Sequence, residues 1–225
     1  MNDGGRELHF LFDLDDTLYP SSLGFFGLVS ARIRAYVMRT LALDERAAAD
    51  LQRRYWREHG TSLAGLMAHH GIDPAGYLEE VHEVPVEEIL KPDPALSRAL
   101  AALPGARYVF TNGPEPYARR VLAALGIEPL FERTFDIVSF GYEPKPRPAP
   151  YDTVARALGP EARIVLVDDA PRNLPPARAR GWRTVWLRAE SPSFGSLPEG
   201  APEADVTVDR LTDLPDRLPE ILKDL

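Results

Sequence analysis

Short apolar runs alternating with helical periods restrict this chain more than any other feature. Residues 9–12, 107–110, 136–140 and 164–167 are each too short for a helix, and each ends in polar or turn residues, the form taken by strands buried on both faces of a parallel sheet. Between the second, third and fourth runs lie helical patterns at 117–125 and 151–158, closed by Gly126 and Gly159. A glycine just past the last periodic residue stops a helix because it accepts the left-handed conformation. Strand, helix, strand, helix implies right-handed crossovers and a parallel sheet. A fifth strand at 184–187, a sixth at 205–208 and a last helix at 214–222 extend the pattern. The predicted fold class is α/β, a doubly wound parallel sheet.

The alternation breaks between residues 19 and 93, where apolar residues recur at helical spacing. Val29, Ile33, Val37 and Leu41 share one helical face, and Leu63, Leu66, Met67 and His70 share another before Gly71. This predicts an all-helical cap, residues 19–93, inserted after the first strand of a core formed by residues 1–18 and 94–225. Tyr19-Pro20-Ser21-Ser22 and Lys91-Pro92-Asp93-Pro94 mark its ends, since proline limits the backbone there. A lid tethered at both ends is suited to closing over the sheet and excluding water.

At 225 residues the chain can bury a full core. Its net charge of −8 and the lack of a Lys/Arg-rich run argue against a nucleic-acid polymer or an anionic membrane as partner. The absence of cysteine removes disulfides, thiolate metal sites and cysteine nucleophiles. No segment approaches the roughly 20 apolar residues of a membrane span, so a cytoplasmic protein is expected. The 22 prolines are about twice the average share and cluster at 144–150 and 192–202.

Chemistry is predicted at the strand ends, where open α/β sheets bind ligands. Asp13 and Asp15, within Asp13-Leu14-Asp15-Asp16-Thr17, follow the first run; Thr111-Asn112-Gly113 follow the second; Lys145 lies beyond the third; Asp168-Asp169 follow the fourth. Each alone has a plain explanation: a solvated loop, a turn, a linker charge, a helix cap. Four at corresponding strand ends form one pattern. Carboxylates about 4 Å apart repel by roughly 4 kcal/mol at an effective dielectric of about 20, so a chain that crowds them next to a core has a use for them.

The set suits transfer of a phosphoryl group. Asp13 is the candidate nucleophile. Asp15, crowded by like charge, is suited to hold and return a proton. Thr111, with Asn112 and Gly113, offers a hydroxyl and backbone N–H groups to phosphoryl oxygens, and Lys145 balances charge. Lys145 alone does not offset the carboxylates and a phosphate, so Mg²⁺ is expected on Asp13, Asp169 and the main-chain carbonyl of Asp15.

These motifs resemble those of haloacid dehalogenase (HAD) superfamily phosphatases. The resemblance implies a Rossmann-like core, with Asp13 as nucleophile, Asp15 as general acid/base, Asp169 as a magnesium ligand, and Asp168 and Asn173 supporting the metal. Asp15 matters for sorting, since the superfamily's phosphatases and phosphomutases carry this second aspartate and its dehalogenases do not. Residues 10–20 and 55–66 are further similar to the pyrimidine 5′-nucleotidase branch, which implies a nucleoside 5′-monophosphate such as UMP or CMP as substrate. Other small-metabolite phosphatases and sugar phosphomutases share the four motifs. A phospho-accepting signalling receiver, which also uses acids, a Thr and a Lys, orders them differently. Within the cap, His59, Gly60, Thr61 and Ser62 have two open readings: donors to the substrate, His59 and Thr61 above all, or a plain loop and helix cap. Tyr19 and Ser21 serve either the entrance or a hinge. Trp56, Trp182 and Trp186 are expected to pack in the core or cap.

Overall fold

The computed structural model describes residues 7–188, 203–223 and Leu225. The proline cluster at 192–202 and Arg6 lie mostly or wholly outside the described residues. Six parallel strands form the sheet: β1 (Leu8–Phe12), β2 (Ala106–Phe110), β3 (Arg133–Phe135), β4 (Arg163–Asp168), β5 (Arg183–Leu187) and β6 (Val206–Val208), in the order β3-β2-β1-β4-β5-β6. This is the doubly wound α/β fold expected from the alternation, and the order reverses at β1, between β2 and β4.

Strand residues alternate between two cores, as the two-residue period of a strand requires. Phe10, Phe12, Val165 and Val167 enter one, and Leu11, Ile164 and Leu166 enter the other. Each central strand therefore holds an unbroken buried apolar run, residues 10–12, 109–110 and 164–167, which is why they stand out in the sequence. Registers Phe12↔Val109 and Phe12↔Val167 bring the ends of β1, β2 and β4 level. The residues that follow them meet at one edge.

The third strand differs from expectation. Residues 133–135 pair with β2, while 136–140 form a turn. Asp136 explains the difference: its carboxylate accepts from Ser139 N at 2.9 Å and from Glu115 N at 3.0 Å, which closes the turn and caps a neighbouring helix. Ile137 and Phe140 are nevertheless buried, so the run is apolar without being extended.

Between β1 and β2 run α1 (Phe25–Leu41), α2 (Glu45–His59), α3 (Ser62–His70), α4 (Pro74–Val81), α5 (Val86–Ile89) and α6 (Pro94–Ala101). Their starts are written in side chains: Asp44 Oδ1 accepts from Ala47 N, Thr61 Oγ1 from Ala64 N, and Asp93 Oδ1 from Ala95 N and Leu96 N. Val29, Ile33 and Val37 bury the expected face of α1, with Leu41 packed at its margin. On α3, Leu63 and Leu66 are buried but His70 is exposed, a correction to the expected face. His70 instead meets the Tyr55 hydroxyl through Nε2 at 2.8 Å. The later helices are α7 (Glu115–Leu125), α8 (Pro148–Leu158), α9 (Leu174–Arg178) and α10 (Leu214–Ile221).

Candidate active site

The strand ends and the helices α1–α4 enclose a cavity of about 410 Å³. Lys145 lies at its base, 1% exposed. Its Nζ donates to Asp13 Oδ1 at 2.8 Å, Asp168 Oδ2 at 2.8 Å and Phe110 O at 2.6 Å, three acceptors for the three protons of an ammonium. Burial opposes that charge, yet Asp13 and Asp168 outweigh it and raise the Lys145 pKa above its ordinary value.

The lysine is held by its backbone. Asn112 Oδ1 accepts from Lys145 N at 2.8 Å and Asn112 Nδ2 donates to Lys145 O at 3.2 Å. The Asn112 side chain therefore positions the lysine, while the residue itself lines the cavity. Thr111, 1% exposed, accepts from Gly113 N through Oγ1 at 2.9 Å, so its own hydroxyl proton is left to donate.

The two leading carboxylates occupy different environments. Burial raises Asp13 to about 7, with Lys145 pulling it down and Asp168 pushing it up. Among the described residues Asp15 forms no ion pair; Tyr19 and Tyr117 both donate to its Oδ1, the latter at 2.7 Å. Burial raises Asp15 to about 6 against the pull of those hydroxyls. Tyr117 was not anticipated; its signal is its place two residues into the helix that follows Thr111-Asn112-Gly113. Tyr19 belongs to the site rather than to a hinge alone. Asp16 takes a left-handed φ of 57°, a conformation aspartate tolerates, and so serves the turn that follows β1.

Asp13, Asp168 and Asp169 each offer a carboxylate oxygen, all within 4.8 Å of one another. An all-oxygen, anionic donor set fits Mg²⁺. Asp169 is raised well above its ordinary value, first by burial and then by the charges of Asp13, Asp168 and Asp16. Asp168 is already engaged by Lys145, by Ala170 N at 2.9 Å and by both contacts of Asn173 Nδ2 at 3.0 Å. Thr17 Oγ1 fixes Asp169, donating to its carboxylate at 3.0 Å.

From the helical side, Thr61 and Ser62 line the cavity, whereas His59 does not. His59 lies outside it, its Nε2 3.0 Å from His69 Nε2, which corrects its expected substrate contact. Gly60 explains the close approach of this loop: its φ is 92°, and a β-carbon there would stand 2.9 Å from Pro144 Cγ and 3.2 Å from Lys145 O. Trp56 also lines the cavity instead of only packing, with the Arg172 guanidinium 3.8 Å over its ring. Arg172 donates to Trp56 O at 2.9 Å and to Gly60 O, tying α2 to the end of β4. Trp186 Nε1 supports Asp169 through its carbonyl at 3.0 Å.

A haloacid dehalogenase-like hydrolase family model matches residues 8–181. The chain belongs to that family. Among curated HAD-type relatives, glyceraldehyde 3-phosphate phosphatase of Methanopyrus kandleri is 28% identical over 95% of this chain and 98% of its own length. Phosphate metabolism protein 8 of Saccharomyces cerevisiae is 29% identical over 55% of this chain, and the alignment spans only 41% of the yeast protein. The solved HAD phosphatase from Thermococcus onnurineus shares the fold with a TM-score of 0.58, at 20% identity, over 93% of this chain and 97% of its own. No described helix of this HAD hydrolase is long and apolar enough to cross a membrane.

One cavity residue absent from the sequence reading gives a stability prediction. Burial pushes the His82 imidazole down to about 4 from 6.5, although its bond to Leu78 O works the other way. The folded state therefore takes up a proton less readily than the unfolded chain. The stability due to neutral His82 is fully present above pH 6.5 and is lost as pH falls from 6.5 toward 4. At about 1.4 kcal/mol per pKa unit, this reaches at most about 3 kcal/mol. His82→Phe is expected to lack this loss. Urea unfolding of both proteins at pH 7.5 and pH 5 measures the difference; equal slopes with pH would contradict it.

Proposed function

We propose that this hydrolase is a magnesium-dependent phosphomonoesterase working through an aspartyl-phosphate on Asp13, with pyrimidine nucleoside 5′-monophosphates such as UMP or CMP as its substrates. The observation that carries the reading is the separation of two carboxylates two residues apart: Asp13 on the Lys145 ammonium, Asp15 on two tyrosine hydroxyls. One is equipped as a nucleophile beside positive charge and the other as a proton carrier near neutral pH.

Asp13 attacks phosphorus, the bond to the ester oxygen breaks, and protonated Asp15 gives its proton to the departing alcohol. Asp15, now ionised, takes a proton from water as that water displaces Asp13 from phosphorus. Thr111 donates its hydroxyl to a phosphoryl oxygen, and Lys145 holds Asp13 in place and offsets charge. Asp13, Asp169 and the carbonyl of Asp15 would hold Mg²⁺, with Asp168 keeping Lys145 and Asn173 in position. When bound, the ion supplies positive charge against the phosphoryl oxygens. Residues 19–93 act as the cap over a core of residues 1–18 and 94–225, in a cytoplasmic setting.

The cap end of the cavity is lined by Phe26, Val29, Ile33, Tyr77 and Leu78. An apolar chamber of this kind suits a flat base more than a small sugar phosphate. The second reading, a phosphatase of small sugar phosphates, is favoured by the near full-length match to a relative named for glyceraldehyde 3-phosphate. Phosphate release with Mg²⁺ from UMP, CMP, 4-nitrophenyl phosphate, phosphoglycolate and triose phosphates distinguishes them. UMP and CMP are expected to give the highest kcat/KM. Preference for the sugar phosphates replaces the nucleotidase reading with the second one, and release from none of them removes the phosphohydrolase reading.

A further inference from the structure

We propose that His82 is a specificity-determining residue whose Nε2 accepts a hydrogen bond from a hydroxyl on the leaving group, so that the enzyme selects phosphate esters of alcohols bearing a second hydroxyl close to the ester oxygen. This rests on the phosphohydrolase reading above and assigns the part of the site that reads the alcohol.

The tautomer follows from the partner. His82 Nδ1 lies 2.9 Å from Leu78 O; a carbonyl only accepts, so the ring proton is on Nδ1 and Nε2 carries a lone pair. The ring is fixed from its other side by Tyr117, with centroids 4.7 Å apart. No described residue is hydrogen-bonded to Nε2, and His82 lines the cavity. A preorganised acceptor with no protein partner, set in a cavity wall, selects a ligand donor.

Its location specifies where that donor lies. His82 Nε2 and Thr111 Oγ1 stand 3.7 and 3.4 Å from the same point beside Gly113, the place a β-carbon there would occupy. Tyr117 Cδ1 stands 3.4 Å from the same point, so Gly113, without a β-carbon, lets Thr111, Tyr117 and His82 converge beside it. The donor is therefore near the ester oxygen, as ribose hydroxyls are in a nucleoside 5′-monophosphate or the second hydroxyl is in glycerol 1-phosphate. The apolar residues Phe26, Val29, Ile33 and Tyr77 lie beyond. They offer no competing donor or acceptor except the Tyr77 hydroxyl.

The test uses two substrate pairs that differ in a single hydroxyl: UMP against 3′-deoxyuridine 5′-monophosphate, and propane-1,2-diol 1-phosphate against propyl phosphate. For whichever pair the wild-type enzyme turns over, kcat/KM is expected to favour the hydroxylated member by about ten-fold, the scale of one neutral hydrogen bond with its partner's desolvation. His82→Phe keeps a ring against Tyr117 and is expected to bring the ratio close to one by lowering only the hydroxylated member. His82→Gln, which retains an acceptor, is expected to restore part of it. A ratio unchanged in His82→Phe, or both members falling equally, overturns the assignment while the phosphohydrolase reading stands. Release of phosphate from no member of either pair, nor from 4-nitrophenyl phosphate, overturns both.

Discussion

Asp13→Asn is expected to abolish phosphate release, by roughly a million-fold if Asp13 forms the covalent intermediate, and to leave the protein more stable than wild type in chelator-containing buffer above pH 7. The two effects have one cause. Asp13 is raised to about 7, first by burial, with Asp168 adding to it and Lys145 opposing. A carboxyl whose folded pKa exceeds its unfolded value of 3.8 binds its proton more tightly when folded. The stability this gives is present at low pH and is lost as pH rises from 3.8 to about 7. Above pH 7 the ionised group is a net cost, with a ceiling of about 4 kcal/mol for about three units at about 1.4 kcal/mol each. Asparagine keeps an acceptor for Lys145 Nζ, now 2.8 Å from Asp13 Oδ1, without the charge. Thermal unfolding in chelator should show a higher Tm for the variant at pH 8 and a smaller difference at pH 5. Adding Mg²⁺ should raise the Tm of wild type more than that of Asp13→Asn, because the variant offers one fewer anionic oxygen to the cation. Retained turnover would remove Asp13 from the nucleophile's role, and a lower Tm at pH 8 would show that the charge stabilises the fold.

The residues that were legible in the sequence are those whose function depends on where a strand ends. Asp13, Thr111 and Asp168-Asp169 stand at the ends of central strands whose residues 10–12, 109–110 and 164–167 are buried and apolar, so their ends are sharp. Residues 133–135 are different. They form an edge strand, Arg133-Thr134-Phe135, with one fully buried residue, and no alternation or apolar run marks it. The apolar run next to it belongs to a turn whose geometry is decided by Asp136, a residue whose carboxylate bonds to the backbone of a helix twenty-one residues away in sequence. Lys145 was found in spite of this because its order relative to the acids, not its distance from a strand, identified it.

The stretch between β1 and β2 was legible as helices but not as a surface. Periodicity shows that one face of a helix is buried, and says nothing about which end of it meets the sheet. His59 and His82 sit at the ends of α2 and α4, and only tertiary packing puts His82 in the cavity and His59 against His69. Arg172 and Tyr117 were missed for a related reason. An arginine between two acidic residues and an asparagine reads as charge balance, and a tyrosine in a helix that covers a sheet reads as core. Their roles appear only when the loop at Gly60 and the carboxylate of Asp15 are brought to them. Asn112 lines the cavity, and its place beside Thr111 does not show its further role, in which both ends of its amide are taken by the Lys145 backbone.

Lys145→Met is expected to lower stability by about 3–5 kcal/mol, the scale of breaking a buried ion pair by removing one partner, and to reduce turnover about 10²- to 10³-fold. The ammonium is the sole described cation bonded to Asp13 or Asp168, and Phe110 O accepts its third proton. Methionine fills the space and leaves two buried carboxylates facing each other with an unpaired carbonyl beneath. The loss should be smaller in Mg²⁺ than in chelator, since the cation then faces the same oxygens from the cavity side. Lys145→Arg is not expected to rescue either property. The site lies against the Phe110 ring, whose centroid is 4.8 Å from Nζ, and a planar guanidinium does not direct three protons to acceptors placed around a point charge. Urea unfolding with and without Mg²⁺, together with turnover of the best substrate, measures all of this. Should Lys145→Met not accumulate as folded protein, Asn112→Ala provides the milder case: it releases the lysine backbone while keeping the charge, and is expected to reduce kcat with a stability loss of about 1–3 kcal/mol for the unpaired buried peptide groups. A Lys145→Met protein as stable as wild type in chelator would mean that the carboxylates take up protons in its place, and its stability would then fall more steeply with rising pH than that of wild type, where Lys145 lowers the Asp13 pKa.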